Sequence, residues 1–240
     1  MNEQDLVLSN NSDCDDLIVG SGGGISIPFP IHPVGTLREQ ARGVEWTSGG
    51  FYVTGYLTDV IDFGFGAMNS NGSIDSYVIK YGNCGVAWQH NEGTPGVENG
   101  IAIMENTANG RLYACGNFSQ PFNYQGVNLS GSGAYVVELD PGTGAAIWGR
   151  TLQGCRVENL DVDPITGNVA VTGGLSSSFN FAGTSHSTVG SSDIFVAVYN
   201  GNGTELWADS YGGSGYDIGM GLVQHTSSRL YVASSIGGPP

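Results

Sequence analysis

Four acidic residues recur at a nearly constant spacing and are the clearest candidates for chemistry in this chain. They are Glu39, Glu98, Glu158 and Asp217, separated by 59, 60 and 59 residues, each just before an apolar run. If a repeated fold brings them to one axis, their hard oxygen ligands suit Ca²⁺, whereas converging carboxylates without a cation repel and raise some of their pKa values. The alternative, which we favour, is that each carboxylate accepts hydrogen bonds from a glycine-rich loop of the neighbouring repeat and clamps two repeats together.

Histidines offer little further chemistry. They fall at different phases of this spacing, and none has the spacing of a metal site or a catalytic triad: His32, His90, His186 and His225. The sequence also lacks a nucleophile elbow, a zinc-protease motif and a phosphate-binding loop. We therefore predict no catalytic and no cofactor-binding residue, and no cofactor other than the Ca²⁺ considered above.

Large aromatic residues share the phase of the acids. Ten residues before each acid stands an aromatic, namely Phe29, Trp88, Trp148 and Trp207. Regularly spaced rings can stack on carbohydrate, and Phe63, Tyr124 and Phe181 could join such a set. Their fixed phase instead predicts that they pack in the core between repeats, where aromatic side chains supply much of the buried area.

Short strands are the elements that must position these residues. The segments at 51–55, 112–116, 169–173 and 230–234 read FYVTG, LYACG, VAVTG and LYVAS, with offsets of 61, 57 and 61. Each repeat also carries an earlier apolar strand, such as 100–103, and two later ones, such as 193–199 and 204–208. The sequence NGNG at 200–203 joins the last two and is a strong hairpin signal, because its residues tolerate φ > 0. Each repeat therefore contains four strands.

Four-stranded antiparallel units that repeat at this length are typical of β-propeller blades. A sandwich would not require such internal copying, and the coils of a β-helix are shorter. We predict an all-β propeller of four-stranded antiparallel blades, with about four blades in the 240 residues.

Several motifs resemble the bacterial beta-propeller repeat known as SBBP. They are FYVTGY at 51–56, SDIFVA at 192–197, GTELW at 203–207 and GGSGYDIG at 212–219, and the resemblance covers about residues 39–236. The second repeat departs from it, because GSGAY at 131–135 lacks the usual Asp, while LDPGTGAAIW at 139–148 is similar to the tryptophan-docking motif of PQQ-type quinoprotein propellers. The SBBP resemblance implies a secreted or cell-surface protein.

The two ends of the chain together make one further repeat. Asp16 precedes Glu39 by 23 residues, as Asp75 precedes Glu98. We therefore expect the N-terminus to supply the third and fourth strands of a shared blade and the C-terminus the first two, closing the ring. In this single domain the blades are 39–97, 98–157, 158–216, and 217–240 together with 1–38. A fragment of a larger propeller is the alternative.

Composition limits the partners. Seven basic and 22 acidic residues give a net charge of −15, and Lys80 is the sole lysine. Nucleic acid and anionic membranes both need a basic surface, so neither is expected, and no apolar run is long enough for membrane insertion. The 40 glycines favour turns over helices. The four cysteines, Cys14, Cys84, Cys115 and Cys155, are either free thiols or two disulfides of undetermined pairing.

These observations favour a non-enzymatic propeller that is extracellular or on the cell surface and presents its loops as an interaction or adhesion scaffold. Its ligand would be a protein or a carbohydrate. No export signal is recognisable in the chain, so the location rests on the family resemblance. The alternative is a propeller enzyme, quinoprotein-like or a lyase, with its site at the axial mouth.

Overall fold

The computed structural model describes residues 38–82, 85–225 and 229–237. The regular elements in these ranges are β-strands, and neighbouring strands within each sheet run antiparallel, which confirms the predicted all-β class. Nothing in the described part is a helix that could cross a membrane. The predictions for Phe29, Cys14, Cys84 and the N-terminal strands concern residues outside these ranges.

The first sheet shows the pattern that the next two sheets repeat. Its strands are β1 (Gln40–Thr47), β2 (Gly50–Leu57), β5 (Asp75–Gly82) and β6 (Gly85–Glu92), hydrogen-bonded in the order β1-β2-β5-β6. Between β2 and β5 the chain forms a separate small hairpin, β3 (Val60–Asp62) with β4 (Ala67–Asn69). The sequence predicts the four strands but not this hairpin.

The second and third sheets have the same order. The second contains β7 (Glu98–Asn106), β8 (Arg111–Phe118), β11 (Gly133–Leu139) and β12 (Ala146–Gln153), with the small hairpin β9 (Phe122–Tyr124) and β10 (Val127–Leu129). The third contains β13 (Cys155–Val162), β14 (Val169–Leu175), β17 (Asp193–Tyr199) and β18 (Glu205–Tyr211), with the hairpin β15 (Phe179–Phe181) and β16 (Thr184–His186). A fourth sheet has two described strands, β19 (Ile218–His225) and β20 (Arg229–Ser235).

A β-bulge interrupts every first strand at the same place. The register shifts at Gly43 in β1, at Ala102 in β7, at Asn159 in β13 and at Gly221 in β19. A bulge bends a strand and increases its local twist. The four first strands therefore curve alike.

The hydrophobic core lies between successive sheets. One cluster joins the first and second sheets and includes Tyr52, Trp88, Leu112 and Tyr135, while a second joins the second and third sheets and includes Trp148, Val171 and Phe195. The small hairpins contribute to the same clusters, since Tyr124 and Phe181 are almost fully buried in them. These rings are core residues, as their phase predicts, and do not form an exposed stacking surface.

Candidate functional site

The strand register places three of the four predicted acids at equivalent positions, namely Glu39, Glu98 and Asp217. Glu158 lies at a different position. Glu98 at the start of β7 lies opposite Phe118, which corresponds to Leu175 in the third sheet. The residue opposite Leu175 is Cys155, not Glu158. Glu158 lies at the bulge of β13, three residues further on, because only Gly154 separates β12 from β13. Its even spacing in the sequence therefore does not reflect structural equivalence.

Glu98 shares a junction between the first two sheets with a second carboxylate, that of Asp75. A parallel bridge pairs Ile74 with Val97, and the Glu98 N–H donates to the Ile74 carbonyl at 2.8 Å, so the two acids start neighbouring strands side by side. Both side chains are fully buried. A Cβ built on Gly93 would lie 2.0 Å from the Asp75 Cγ, so the absence of a side chain at this glycine makes room for the carboxylate.

The junction between the third and fourth sheets repeats this arrangement. Ser192 and Tyr216 form the parallel bridge, and Asp193 and Asp217 follow them as buried acids. A Cβ on Gly212 would lie 2.5 Å from the Asp193 Cγ and 2.8 Å from the Asp217 Oδ2. Two junctions thus hold the same set of two acids and one glycine.

The junction between the second and third sheets replaces all three residues together. Gly133 stands where the other sheets have Asp75 and Asp193, and it pairs with Gln153 instead of a glycine. Cys155 takes the place of the second acid, and its carbonyl lies 3.2 Å from a Cβ built on Gly133. Because Gly133 has no side chain and Gln153 is exposed, this junction has neither of the two buried acids.

Each junction acid closes the loop before it by accepting a backbone N–H from four residues upstream. The donors are Asn71 to Asp75, Thr94 to Glu98 at 2.8 Å, Val189 to Asp193 at 3.0 Å and Gly213 to Asp217 at 2.7 Å. The Thr94 hydroxyl also donates to Glu98, and the Gly237 N–H donates to Asp217. These bonds use most of the carboxylate oxygens and fix the loops that connect the sheets.

Burial raises the pKa of Asp75 and of Glu98 above the ordinary carboxyl value, and the charge of Asp75 adds to the rise for Glu98. Asp75 Oδ1 is buried and has no hydrogen-bond partner in the part of the chain that the structure describes. In the described ranges no three His, Cys, Asp or Glu side chains form a group that could hold a metal ion.

The other two predicted acids, Glu158 and Glu39, differ in their placement. Glu158 forms an ion pair with Arg156 at 2.6 Å, on a partly solvent-exposed part of β13. Glu39 precedes β1 and corresponds to Glu98 in register, and its Oε1 is buried without a hydrogen-bond partner among the described residues.

Two of the predicted packing aromatics join successive sheets in the same way. The Trp88 N–H donates to the carbonyl of Pro141 at 3.2 Å, and the Trp148 N–H donates to that of Gly201 at 3.2 Å. Both acceptors lie in the hairpin turn between the third and fourth strands of the next sheet. A turn glycine of left-handed φ lies against each indole: Gly144 (φ 76°) against Trp88 and the adjacent His90, and Gly203 (φ 74°) against Trp148.

Trp207 holds the equivalent position in the third sheet but is 45% exposed, compared with 7% for Trp88 and 9% for Trp148. It borders a cavity of about 540 Å³. We call this the end cleft: it is lined by Ile194, Val196, Trp207 and Tyr211 of the third sheet and by Leu230 and Val232 of β20.

The four first strands line another cavity, of about 340 Å³. Residues 42–45 of β1, 101–104 of β7, 158–160 of β13 and Leu222 of β19 form its walls, and we call it the first-strand cavity. Of the four predicted acids, Glu158 reaches it. Glu45 is the other carboxylate in its lining, and burial raises its pKa despite a hydrogen bond from the Glu105 backbone.

Side chains near this cavity also fasten adjacent first strands. Asp161 of β13 accepts the backbone N–H of Gln224 of β19, and the Gln224 side chain returns a bond to the Asp161 carbonyl at 2.8 Å. The Asn106 amide of β7 reaches the Asp163 carbonyl after β13. Sequence spacing did not single out Glu45, Asp161 or Gln224, because side-chain pairing across sheets has no fixed period.

Cys115 and Cys155 are buried free thiols, so neither takes part in a disulfide. Burial raises the pKa of Cys115 to about 12. Both are therefore protonated and unreactive at neutral pH.

No protein-family model matches this sequence, and no curated protein matches it.

Proposed function

We propose that the chain is a β-propeller of the SBBP type with about four blades, and that it acts as a non-enzymatic interaction or adhesion scaffold outside the cell or on its surface. The observation that carries the proposal is the repeated junction. The same tryptophan-to-turn contact joins the first sheet to the second and the second to the third. Repeating this tryptophan contact between successive sheets supports a rigid frame.

A rigid frame suits the presentation of loops. The small hairpins and the turns between third and fourth strands differ in sequence from repeat to repeat, whereas the strands and joints are alike. Variable loops on a fixed scaffold are a common arrangement for binding sites. The net charge of −15 favours a neutral carbohydrate or a basic protein over an acidic ligand.

The proposal can be tested by binding and by location. Cells expressing the natural reading frame with an added epitope tag are labelled with an antibody that cannot cross the membrane, and the purified chain is passed over immobilised glycans and extracellular proteins. We expect surface labelling and saturable binding that survives Glu45→Gln. Labelling only after cell lysis would refute the location, and turnover without stable binding would refute the scaffold.

A propeller enzyme is the second candidate, and the first-strand cavity favours it. Glu45 is a partly buried carboxyl whose pKa is raised, which is the property of a general acid or base. This alternative predicts activity on a redox-dye panel or formation of an unsaturated lyase product, lost in Glu45→Gln. The matched control is Glu205→Gln, which removes an exposed carboxylate of β18 that does not line the cavity.

For the junction acids we propose the clamp and not a calcium site. The support is that both oxygens of Glu98 and both oxygens of Asp217 accept hydrogen bonds, which leaves few lone pairs facing a cation. Ca²⁺ needs six to eight oxygen ligands. The parent protein should show no Ca²⁺-dependent rise in Tm, and a rise that disappears in Glu98→Gln would refute the clamp.

A further inference from the structure

One short loop contacts the clamps of both acids at the junction between the first and second sheets. Asn71 donates its backbone N–H to Asp75, and the next residue, Gly72, lies against the loop that caps Glu98. A Cβ built on Gly72 would lie 2.2 Å from the carbonyl oxygen of Thr94, whose own N–H and hydroxyl bind Glu98. The backbone of this loop is therefore closely packed between the two sheets.

The junction between the third and fourth sheets contains the same loop with a different first residue. Val189 donates its N–H to Asp193, and a Cβ built on Gly190 would lie 2.4 Å from the carbonyl oxygen of Gly213. Gly213 in turn donates its N–H to Asp217. Because these contacts match those of the first junction, the first position of the loop accepts either an asparagine or a valine.

An asparagine that precedes a glycine can rearrange with water as the only reactant. The glycine nitrogen attacks the side-chain carbonyl carbon of the asparagine, a C–N bond forms, and the amide group takes up the N–H proton and leaves as ammonia. Water then opens the cyclic imide at either carbonyl, which gives aspartate or isoaspartate. In isoaspartate the main chain passes through the side-chain methylene. Glycine favours the attack because no Cβ obstructs its nitrogen.

The chain has five Asn–Gly pairs, and the structure holds four of them in place. The five pairs begin at Asn71, Asn99, Asn109, Asn200 and Asn202. Asn99 lies within β7, where strand pairing holds the backbone. Arg111 donates hydrogen bonds to the side-chain oxygens of Asn109 and Asn202, through its backbone N–H and its guanidinium respectively. The side-chain oxygen of Asn200 accepts two backbone N–H groups of its own turn.

Asn71 differs from the other four asparagines. It is exposed, and its side-chain amide makes no hydrogen bond to the residues that the structure describes. The N–H of Gly72 donates to the hydroxyl of Ser70 at 3.2 Å, whereas the N–H groups of Gly110 and Gly203 donate to backbone carbonyls at 2.7 and 2.9 Å. The Asn71 side chain can therefore turn towards the Gly72 nitrogen without breaking a hydrogen bond.

We propose that Asn71 is a site of spontaneous chemical modification, and that its conversion to aspartate or isoaspartate loosens the junction between the first and second sheets. Either product adds a negative charge next to the N–H that binds the buried carboxylate of Asp75. Isoaspartate also lengthens the main chain by one carbon in a loop that has no space at Gly72. This inference does not depend on the scaffold function proposed above.

The first test is ageing of the purified full chain at mildly alkaline pH, where the glycine nitrogen loses its proton more readily. Peptide mass spectrometry with chromatographic separation measures asparagine, aspartate and isoaspartate at all five pairs. We expect Asn71 to convert several-fold faster than the other four asparagines in the native protein, and the five rates to become similar in urea. Equal rates in the native protein would overturn the proposal. So would an unchanged order of rates in urea, because local sequence and not the fold would then set them.

The second test follows Tm during the same incubation. Asn71→Val copies the first position of the loop at the third junction, where Val189 is 77% exposed, and it cannot form the imide. We expect the Tm of the parent to fall as Asn71 converts and the Tm of Asn71→Val to stay constant. The control Asn109→Ser removes a pair that the structure holds in place, so its Tm should fall as in the parent. A constant Tm of the parent after Asn71 has converted would refute the link to the junction, and this measurement needs no variant.

Discussion

Gly203→Ala is the substitution that most directly tests the contact between a turn and the tryptophan of the preceding sheet. A Cβ built on Gly203 would lie 2.7 Å from the Trp148 ring, which packs between Tyr113 and Tyr199 and cannot retreat freely. Gly183 is a matched control, because its φ of 79° is close to the 74° of Gly203 but no atom lies within 4 Å of its Cβ position.

The two substitutions share one cost and differ in another. Both place an L side chain in the left-handed region, which costs about 1 to 2 kcal/mol. Gly203→Ala also overpacks the junction, which adds about 1 to 3 kcal/mol. We therefore expect Gly203→Ala to lower the free energy of unfolding by about 1 to 3 kcal/mol more than Gly183→Ala, or roughly 2 to 12 °C in Tm for a domain of this size.

The assay is urea unfolding followed by tryptophan fluorescence and by circular dichroism. The additional loss should shrink when Gly203→Ala is made in a Trp148→Leu background, since the smaller side chain leaves room for the methyl group. Equal losses for Gly203→Ala and Gly183→Ala would refute the idea that the turn and the indole are in firm contact. Unchanged m-values would support a two-state comparison.

Three further predictions concern charge, ion pairing and thiol access. Raising the pH from about 4, near the ordinary carboxyl pKa, towards neutral should lower Tm. Burial raises the folded pKa of Asp75 and of Glu98, so the stability that their protonated forms give is lost as the pH rises from the unfolded pKa through the raised folded pKa. Asp75→Asn should flatten this calorimetric profile, and a Tm that rises over the range would contradict it. Arg111→Met should lower the free energy of unfolding in urea by about 1 to 3 kcal/mol, because it leaves the buried Glu138 without its two-bond ion pair. Arg156→Met, at an exposed pair, should lower it by less than about 0.5 kcal/mol. Similar losses for the two variants would argue against a buried pair at Glu138. Cys115 and Cys155 should resist alkylation in the native protein and react after unfolding, and native labelling at either site, located by mass spectrometry, would contradict their burial.

The fold class and the strand order could be predicted because repetition supplies several copies of one signal. The segments at 51–55, 112–116 and 169–173 lie in β2, β8 and β14, and the NGNG turn joins β17 to β18. The small hairpins escaped prediction, since strands of three residues such as Phe122–Tyr124 are too short for an alternating pattern to stand out.

The acids show where spacing misleads. Glu98 and Asp217 hold equivalent positions, whereas the short connection at Gly154 puts Cys155 and not Glu158 at that position. A constant spacing in the sequence hides this shortening, because a longer segment later in the chain compensates for it. Asp75 and Asp193 were visible as strand markers, yet their pairing with the next sheet depends on a parallel bridge between sheets. Contacts of this kind have no period in the sequence.

The junction between the second and third sheets has Gly133 and Cys155 where the other described junctions have two acids, so the sheets cannot be exchanged for one another. At its junction with the first sheet the second sheet has the buried acid Glu98, whereas at its junction with the third sheet it has Gly133. The third sheet has Cys155 at its junction with the second sheet and the buried acid Asp193 at its junction with the fourth. A circular permutation or a repeat duplication that keeps the second and third sheets together preserves the residue pairs at every junction. A reordered chain that brings the third sheet directly after the first would place Cys155 beside Asp75, so that a buried carboxylate would face a thiol. The residues at the junctions therefore favour one order of the sheets.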